Sequence, residues 1–146
     1  MKNSKNNKIS LNTAVGLAVG LIVAFLVKQF LFAPPSLDKA MMQVASKINE
    51  SCPIMVDQDT RLDNAIGLPD KILQYNYTLV NLIKDSINIK EFQDYMQPVI
   101  LNNVKTNPDL KVYRDNKITL AYSYKDKNGI FIVRIPITPD QYLHEK

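Results

Sequence analysis

The sequence predicts an α+β domain held behind one membrane-spanning helix, and three features carry that expectation. An uncharged apolar stretch runs from Leu11 to Val27. Further on, two segments with apolar residues at helical spacing are each followed by a pair of short strand-like runs, and Asn128-Gly129 joins the last pair. A chain of 146 residues has room for one ordinary domain plus an accessory segment, not for two full cores.

The accessory segment comes first. Leu11 to Val27 reads LNTAVGLAVGLIVAFLV, and apolar character resumes after Lys28 as Phe30, Leu31, Phe32 and Ala33. At about 1.5 Å per residue, a helix over 9–33 exceeds the roughly 30 Å hydrocarbon core of a bilayer, and Lys28 can snorkel to the interface. Lys2, Lys5 and Lys8 precede the span, whereas the twenty residues after it carry only Lys39 and Lys47. The positive-inside bias therefore predicts a cytoplasmic tail over 1–8, a signal-anchor helix over 9–33, a linker over 34–36, and a domain over 37–146 in the periplasm or outside the cell. A cleaved signal peptide is disfavoured, because Leu31 stands where a small residue is wanted and Pro34-Pro35 follow the cut. Within the span, Gly16, Gly20 and Ala24 repeat every four residues, a helix face that lets two copies approach closely and so suggests a homodimer.

The domain opens after Pro34-Pro35 with Ser36 as an expected N-cap. Leu37, Met41, Val44, Ala45 and Ile48 predict a first helix to about Asn49, ending before Cys52-Pro53. Thr60 to Gly67 and Ile72 to Asn81 flank the turn composition Leu68-Pro69-Asp70-Lys71 and predict a hairpin. Asn88 with Glu91 resembles a capping box. Ile89, Phe92, Met96, Val99, Ile100 and Val104 hold their helical phase across Pro98, which predicts one kinked helix. Ile118, Leu120, Tyr122 and Tyr124 alternate along one strand, and Phe131, Val133, Ile135 and Ile137 along the next. The expected order α-β-β-α-β-β suits a four-stranded antiparallel sheet with both helices on one face. If the Tyr, Leu and Val rows face the helices, the other face carries Gln74, Asn76, Thr78, Thr119, Ala121, Ser123 and Arg134, a polar surface that either receives a partner protein or is simply solvated.

Charge and chemistry narrow the function. Lys2, Lys5, Lys8 and Lys28 precede Pro34 with no acidic residue among them, so 14 of the 18 basic residues remain to balance 14 acidic ones. The domain is formally neutral, which sets nucleic acid aside as a partner. The single histidine, His144, lies near the end of the chain, where chains tend to fray, so a Ser-His-Asp or Cys-His arrangement would have to recruit that tail, and Cys52, the single cysteine, and His144 alone cannot make a zinc site. Asp57, Asp59 and Asp63 cluster, but Arg61 and Leu62 stand where a calcium loop needs an oxygen ligand and a glycine. No metal or other cofactor is expected. Cys52 reads as a buried inert thiol or as an intermolecular thiol, with the buried reading preferred.

The runs Cys52-Pro53-Ile54-Met55-Val56-Asp57, Thr60-Arg61-Leu62-Asp63, Gln74-Tyr75-Asn76-Tyr77-Thr78-Leu79 and Asn102-Asn103-Val104-Lys105-Thr106-Asn107-Pro108 resemble a family of small bacterial exported or membrane-anchored domains with no assigned activity. That resemblance implies a bacterial, extracytoplasmic setting and carries no catalytic residues with it. The expectation is a membrane-tethered, non-enzymatic protein-interaction module. Two other readings stay open: an inhibitor or immunity-type protein against an exported toxin or enzyme, and a hydrolase using Asp57, Asp59 or Asp63 near Arg134.

Overall fold

The computed structural model describes residues 36–143. The tail over 1–8, the expected membrane helix with its Gly16, Gly20 and Ala24 face, the prolines of the linker, and His144 all lie outside the described residues. Among the described residues no helix is long and apolar enough to cross a membrane.

Helix α1 spans Leu37–Asn49, the bounds its apolar stripe predicts, and buries Ala40, Met41, Val44, Ala45 and Ile48. Ser36 occupies the N-cap position through its carbonyl, which accepts from the Ala40 N–H, while its hydroxyl makes no cap bond. Strands β1 (Ile54–Met55), β2 (Thr60–Leu68) and β3 (Ile72–Leu79) follow, then a 3-10 turn at Lys84–Ser86 and α2 (Ile89–Thr106). The Asn88 side chain accepts from Glu91 N–H, as the capping signal implies, and Pro98 lies inside the one continuous helix. A second 3-10 turn (Pro108–Leu110), the short α3 (Lys111–Asp115), β4 (Thr119–Asp126), β5 (Phe131–Ile137) and α4 (Pro139–Leu143) complete the chain.

The sheet corrects the expected architecture in two respects. It has five strands in the order β1-β2-β3-β4-β5, and its central pair, β3 with β4, runs parallel, from Ile72↔Thr119 to Leu79↔Asp126. The reason is length. Eight residues of β3 advance roughly 26 Å, and the 18 residues of α2 return about 27 Å, so the crossover delivers the chain back to the end where β3 began. The added strand β1 pairs only at Ile54↔Leu62 and Met55↔Arg61. Two registers shift, one between Leu62 and Asn64 and one between Tyr124 and Lys125. The second leaves Ile132 buried and turns Phe131, expected in the core row, out to solvent.

The core lies between one face of the sheet and helices α1 and α2. Leu73, Tyr75, Tyr77 and Leu79 on β3, and Leu120, Tyr122 and Tyr124 on β4, meet Val44 and Ile48 of α1 and Met96, Ile100 and Val104 of α2. The tyrosine rings pack on one another, Tyr75 with Tyr122 at 5.5 Å and Tyr77 with Tyr124 at 5.3 Å between centroids. Two details seat α1 on β2. A Cβ built on Gly67 would lie 2.6 Å from Met42 N, so only glycine allows this approach. The Asn49 carboxamide accepts from Ala65 N–H at 2.7 Å and donates to Ala65 O at 2.9 Å, occupying that stretch of β2 backbone as a neighbouring strand would. Arg114 closes α2 by donating to the carbonyls of Val104 and Asn107.

Candidate functional site

Strand alternation sets Gln74, Asn76, Ser123 and Arg134 half-buried between the buried core positions of their strands, while Thr78 and Ala121 of the same expected surface are buried. Asn64, Asn76, Ser123 and Arg134 fall in one row across β2 to β5. Arg134 Nε donates to Gln74 Oε1 at 2.7 Å, Gln74 Nε2 to Asn76 Oδ1 at 2.9 Å, and Asn76 Nδ2 to Asn64 Oδ1 at 2.7 Å. Arg134 therefore reaches over β4 to β3. Thr78 belongs to a separate group, donating to Asp63 Oδ2 at 2.5 Å. Thr119 stands apart at the start of β4, and Ala121 is fully buried. This face is a plate of side chains largely bonded to one another.

The three aspartates do not converge on one point. Asp57 Oδ1 accepts from the N–H groups of Asp59 and Thr60, an Asx turn that opens β2. Asp59 accepts from Asn81 Nδ2 at 2.6 Å. Asp63, the extra residue of the β2 bulge, holds Arg61 at 2.6 Å and Lys125 at 3.0 Å besides Thr78. Burial pushes its carboxyl up, but the hydrogen bonds from Thr78, Arg61 and Lys125 outweigh that and hold it below the ordinary aspartate range. A carboxyl held low and paired with Arg61 and Lys125 is poorly suited to act as a general acid. Arg134, which the hydrolase reading sets beside these acids, bonds Gln74 instead. Among the described residues no three His, Cys, Asp or Glu side chains gather as metal ligands would. Burial pushes the Tyr75, Tyr77, Tyr122 and Tyr124 phenols far up and Tyr113 up to about 12, so the ring stack is a packing element that does not ionise. Cys52 is half-buried against the core, its thiol raised by burial and by Asp63.

The surface missed by sequence reasoning lies at the far end of the sheet. The loop after β3 and the turn between β4 and β5 meet there, with Lys127 N–H donating to Leu82 O at 3.0 Å. The buried Asp126 carboxylate ties them: Oδ2 accepts from Lys84 N–H at 2.9 Å, and Oδ1 from Asn128 and Ile130 N–H, both at 2.8 Å. Burial raises this carboxyl, but those backbone donors prevail and keep it low. Gly129 supplies the positive φ of 82° that the turn needs. Around this hydrogen-bonded knot four apolar residues are exposed: Leu82 at 39%, Ile83 at 40%, Ile130 at 51% and Phe131 at 55%. The available signal was two apolar pairs, Leu82-Ile83 and Ile130-Phe131, set beside turn residues where polar side chains are usual.

The opposite end is where the described chain begins. Asp38 accepts from Lys71 N–H in the β2–β3 turn, so the start of α1 lies at the end from which β3 departs. Eight residues of β3 then put the apolar tip roughly 25 Å from Ser36.

Comparison with known proteins adds the following. The model of a domain of unknown function, DUF8479, matches residues 36–131. No curated protein matches the chain. Three solved structures share its fold at low identity. The pilotin EpsS of the Vibrio vulnificus type 2 secretion system superposes with a TM-score of 0.59 at 11% identity, over 75% of this chain and 94% of that one. The type II secretion system pilotin AspS of Vibrio cholerae gives 0.54 at 14%, over 72% and 91%. A Pseudomonas aeruginosa protein described as secreted gives 0.55 at 10%, over 75% and 98%.

Proposed function

That the chain belongs to the DUF8479 family of domains of unknown function is the premise from which we propose its role: a membrane-tethered, non-enzymatic protein-interaction module on the outer side of the cytoplasmic membrane. The observation that carries this reading is the allocation of side chains. The acidic residues with the shape of a catalytic set are spent on turns and ion pairs, while apolar side chains stay exposed, among them Leu82, Ile83, Ile130 and Phe131 at one end of the sheet and Met42 on α1. The apolar stretch over 9–33 supplies the tether, its lysine-rich flank keeps the tail inside, and Gly16, Gly20 and Ala24 give the helix a face for pairing two copies. The shared fold of two secretion-system pilotins and a secreted protein supports an extracytoplasmic binding role. The polar plate of Gln74, Asn76 and Arg134 backs the sheet and stiffens it.

Proximity labelling from a ligase fused after Lys146 tests the reading. Recurrent envelope-assembly proteins among the labelled neighbours support a scaffold. A single exported enzyme or toxin supports an inhibitor instead, and labelling confined to cytosolic proteins refutes the module altogether.

A further inference from the structure

We propose that Asn128 is the asparagine at which this domain deamidates, and that the hydrogen bonds around Asp126 hold the reaction off while the β4–β5 turn stays closed. The site is independent of the tethered reading above. Deamidation begins when the backbone nitrogen of the following residue, its proton passed to solvent, attacks the side-chain carbonyl carbon. A C–N bond closes a five-membered imide, and the amide nitrogen leaves as ammonia. Water then opens the ring at either carbonyl and leaves aspartate or isoaspartate. A side chain on the following residue hinders the attack, and no other asparagine in the chain is followed by glycine. Asn128 is exposed, and a Cβ built on Gly129 would meet nothing within 4 Å, so ammonia can leave and water can reach the ring.

The closed turn holds the reacting atoms apart. Asp126 N–H donates to Ile130 O at 2.9 Å and Gly129 N–H to Asp126 O at 3.0 Å, and Gly129 alone in this three-residue loop has a positive φ. This is a type I turn closed by a left-handed glycine, in which Asn128 ψ is about 0° and Gly129 N stands roughly 120° about the Cα–C bond from the Asn128 Cβ. Attack needs the two nearly eclipsed, so the turn must open first. Asp126 resists that opening, because its Oδ1 accepts from both Asn128 and Ile130 N–H at 2.8 Å. The proton that Gly129 must surrender is itself bonded to Asp126 O, and losing it forfeits that bond. The rate in the folded protein is therefore the rate of the open turn scaled by the fraction of time it is open. The product does not revert. Aspartate at position 128 adds a second carboxylate to the turn that holds Asp126, and isoaspartate lengthens the backbone by one methylene between positions 128 and 129. Either change loosens the end of the sheet at which Leu82, Ile83, Ile130 and Phe131 are exposed.

The test incubates the full chain in detergent micelles at mildly alkaline pH beside a synthetic peptide spanning residues 124–132, and follows both by peptide-mapping mass spectrometry. The peptide is expected to deamidate at Asn128 at least about tenfold faster than the folded chain, since a turn closed by only about 1.4 kcal/mol already slows the reaction by that factor. Asp126→Ala, which removes the acceptor for Asn128 and Ile130 N–H, is expected to bring the folded chain toward the peptide's rate, with Asn128 modified ahead of every other asparagine in the domain. Both isoaspartate and aspartate are expected, because the imide opens on either side. Hydrogen exchange of the wild-type Gly129 N–H reads the same opening without any substitution, and protection of at least about tenfold is expected even where Asp126→Ala fails to fold. A folded wild-type chain that deamidates as fast as the peptide overturns the proposal. So does a folded Asp126→Ala chain no faster than wild type, a product of aspartate alone, or a Gly129 N–H that exchanges as freely as the peptide's.

Discussion

Replacing Gly67 by alanine probes the seat of α1 on the sheet. The added Cβ would lie 2.6 Å from Met42 N and 2.8 Å from Met41 C, where ordinary contact begins at 3.4 Å. Both neighbours are helix backbone and no side chain can swing away, so α1 must retreat by most of an ångström. That movement loosens Met41, Val44, Ala45 and Ile48, all buried on the sheet. Overpacking of this kind costs about 1–3 kcal/mol. For a domain of this size each kcal/mol lowers the melting temperature by about 4–8 °C, so a drop on the order of 5–20 °C is expected. Differential scanning fluorimetry reads it, with Gln43→Ala on the exposed side of α1 as the control, expected within about 0.5 kcal/mol of wild type. A Gly67→Ala protein that melts with the wild type refutes the close approach and with it the placement of α1.

Asn49→Ala removes two hydrogen bonds to β2 and is expected to cost about 1–3 kcal/mol, and Asn49→Asp, which sets a carboxylate oxygen against the Ala65 carbonyl in place of the donor, is expected to destabilise as well; urea midpoints at unchanged m-value measure both. Asp63 and Asp126 have folded-state pKa values below the ordinary 3.8, so their stabilisation is complete above that value and is lost as pH falls through the lower folded values. Melting curves should therefore hold steady down to about pH 5 and fall below about pH 4, and Asp63→Asn should flatten that fall. Cys52, raised by burial and by Asp63, is expected to react with iodoacetamide at pH 8 more slowly than a free cysteine, whereas a rate equal to or above that of the free amino acid contradicts its half-buried placement.

What local pattern encodes was legible. The bounds of α1 follow from one apolar stripe, the start of α2 from the Asn88 cap, and the final hairpin from Asn128-Gly129. The parallel pairing of β3 with β4 was not, because it is set by the match between helix and strand lengths across some forty residues and leaves no mark on either strand. Strand β1 was missed because two residues show no periodicity. Alternation says only which side a residue takes, not that Arg134 crosses β4 to bind Gln74 or that Thr78 and Ala121 are buried. The tip escaped for a sharper reason. Strict alternation assigns Phe131 to the core row, and one bulged residue, Ile132, reverses it. Asp126, whose carboxylate ties the two loops, looks in sequence like any turn aspartate.

The most direct test of a tethered module that binds through its far end is photocrosslinking in living cells, with a benzophenone amino acid at position 131 or, as the opposite-end control, at Asn116 beside the start of β4. Position 131 is predicted to give one discrete crosslinked species with an exported protein, and position 116 none. A ladder of cytosolic proteins, or the same species from both positions, would contradict the account.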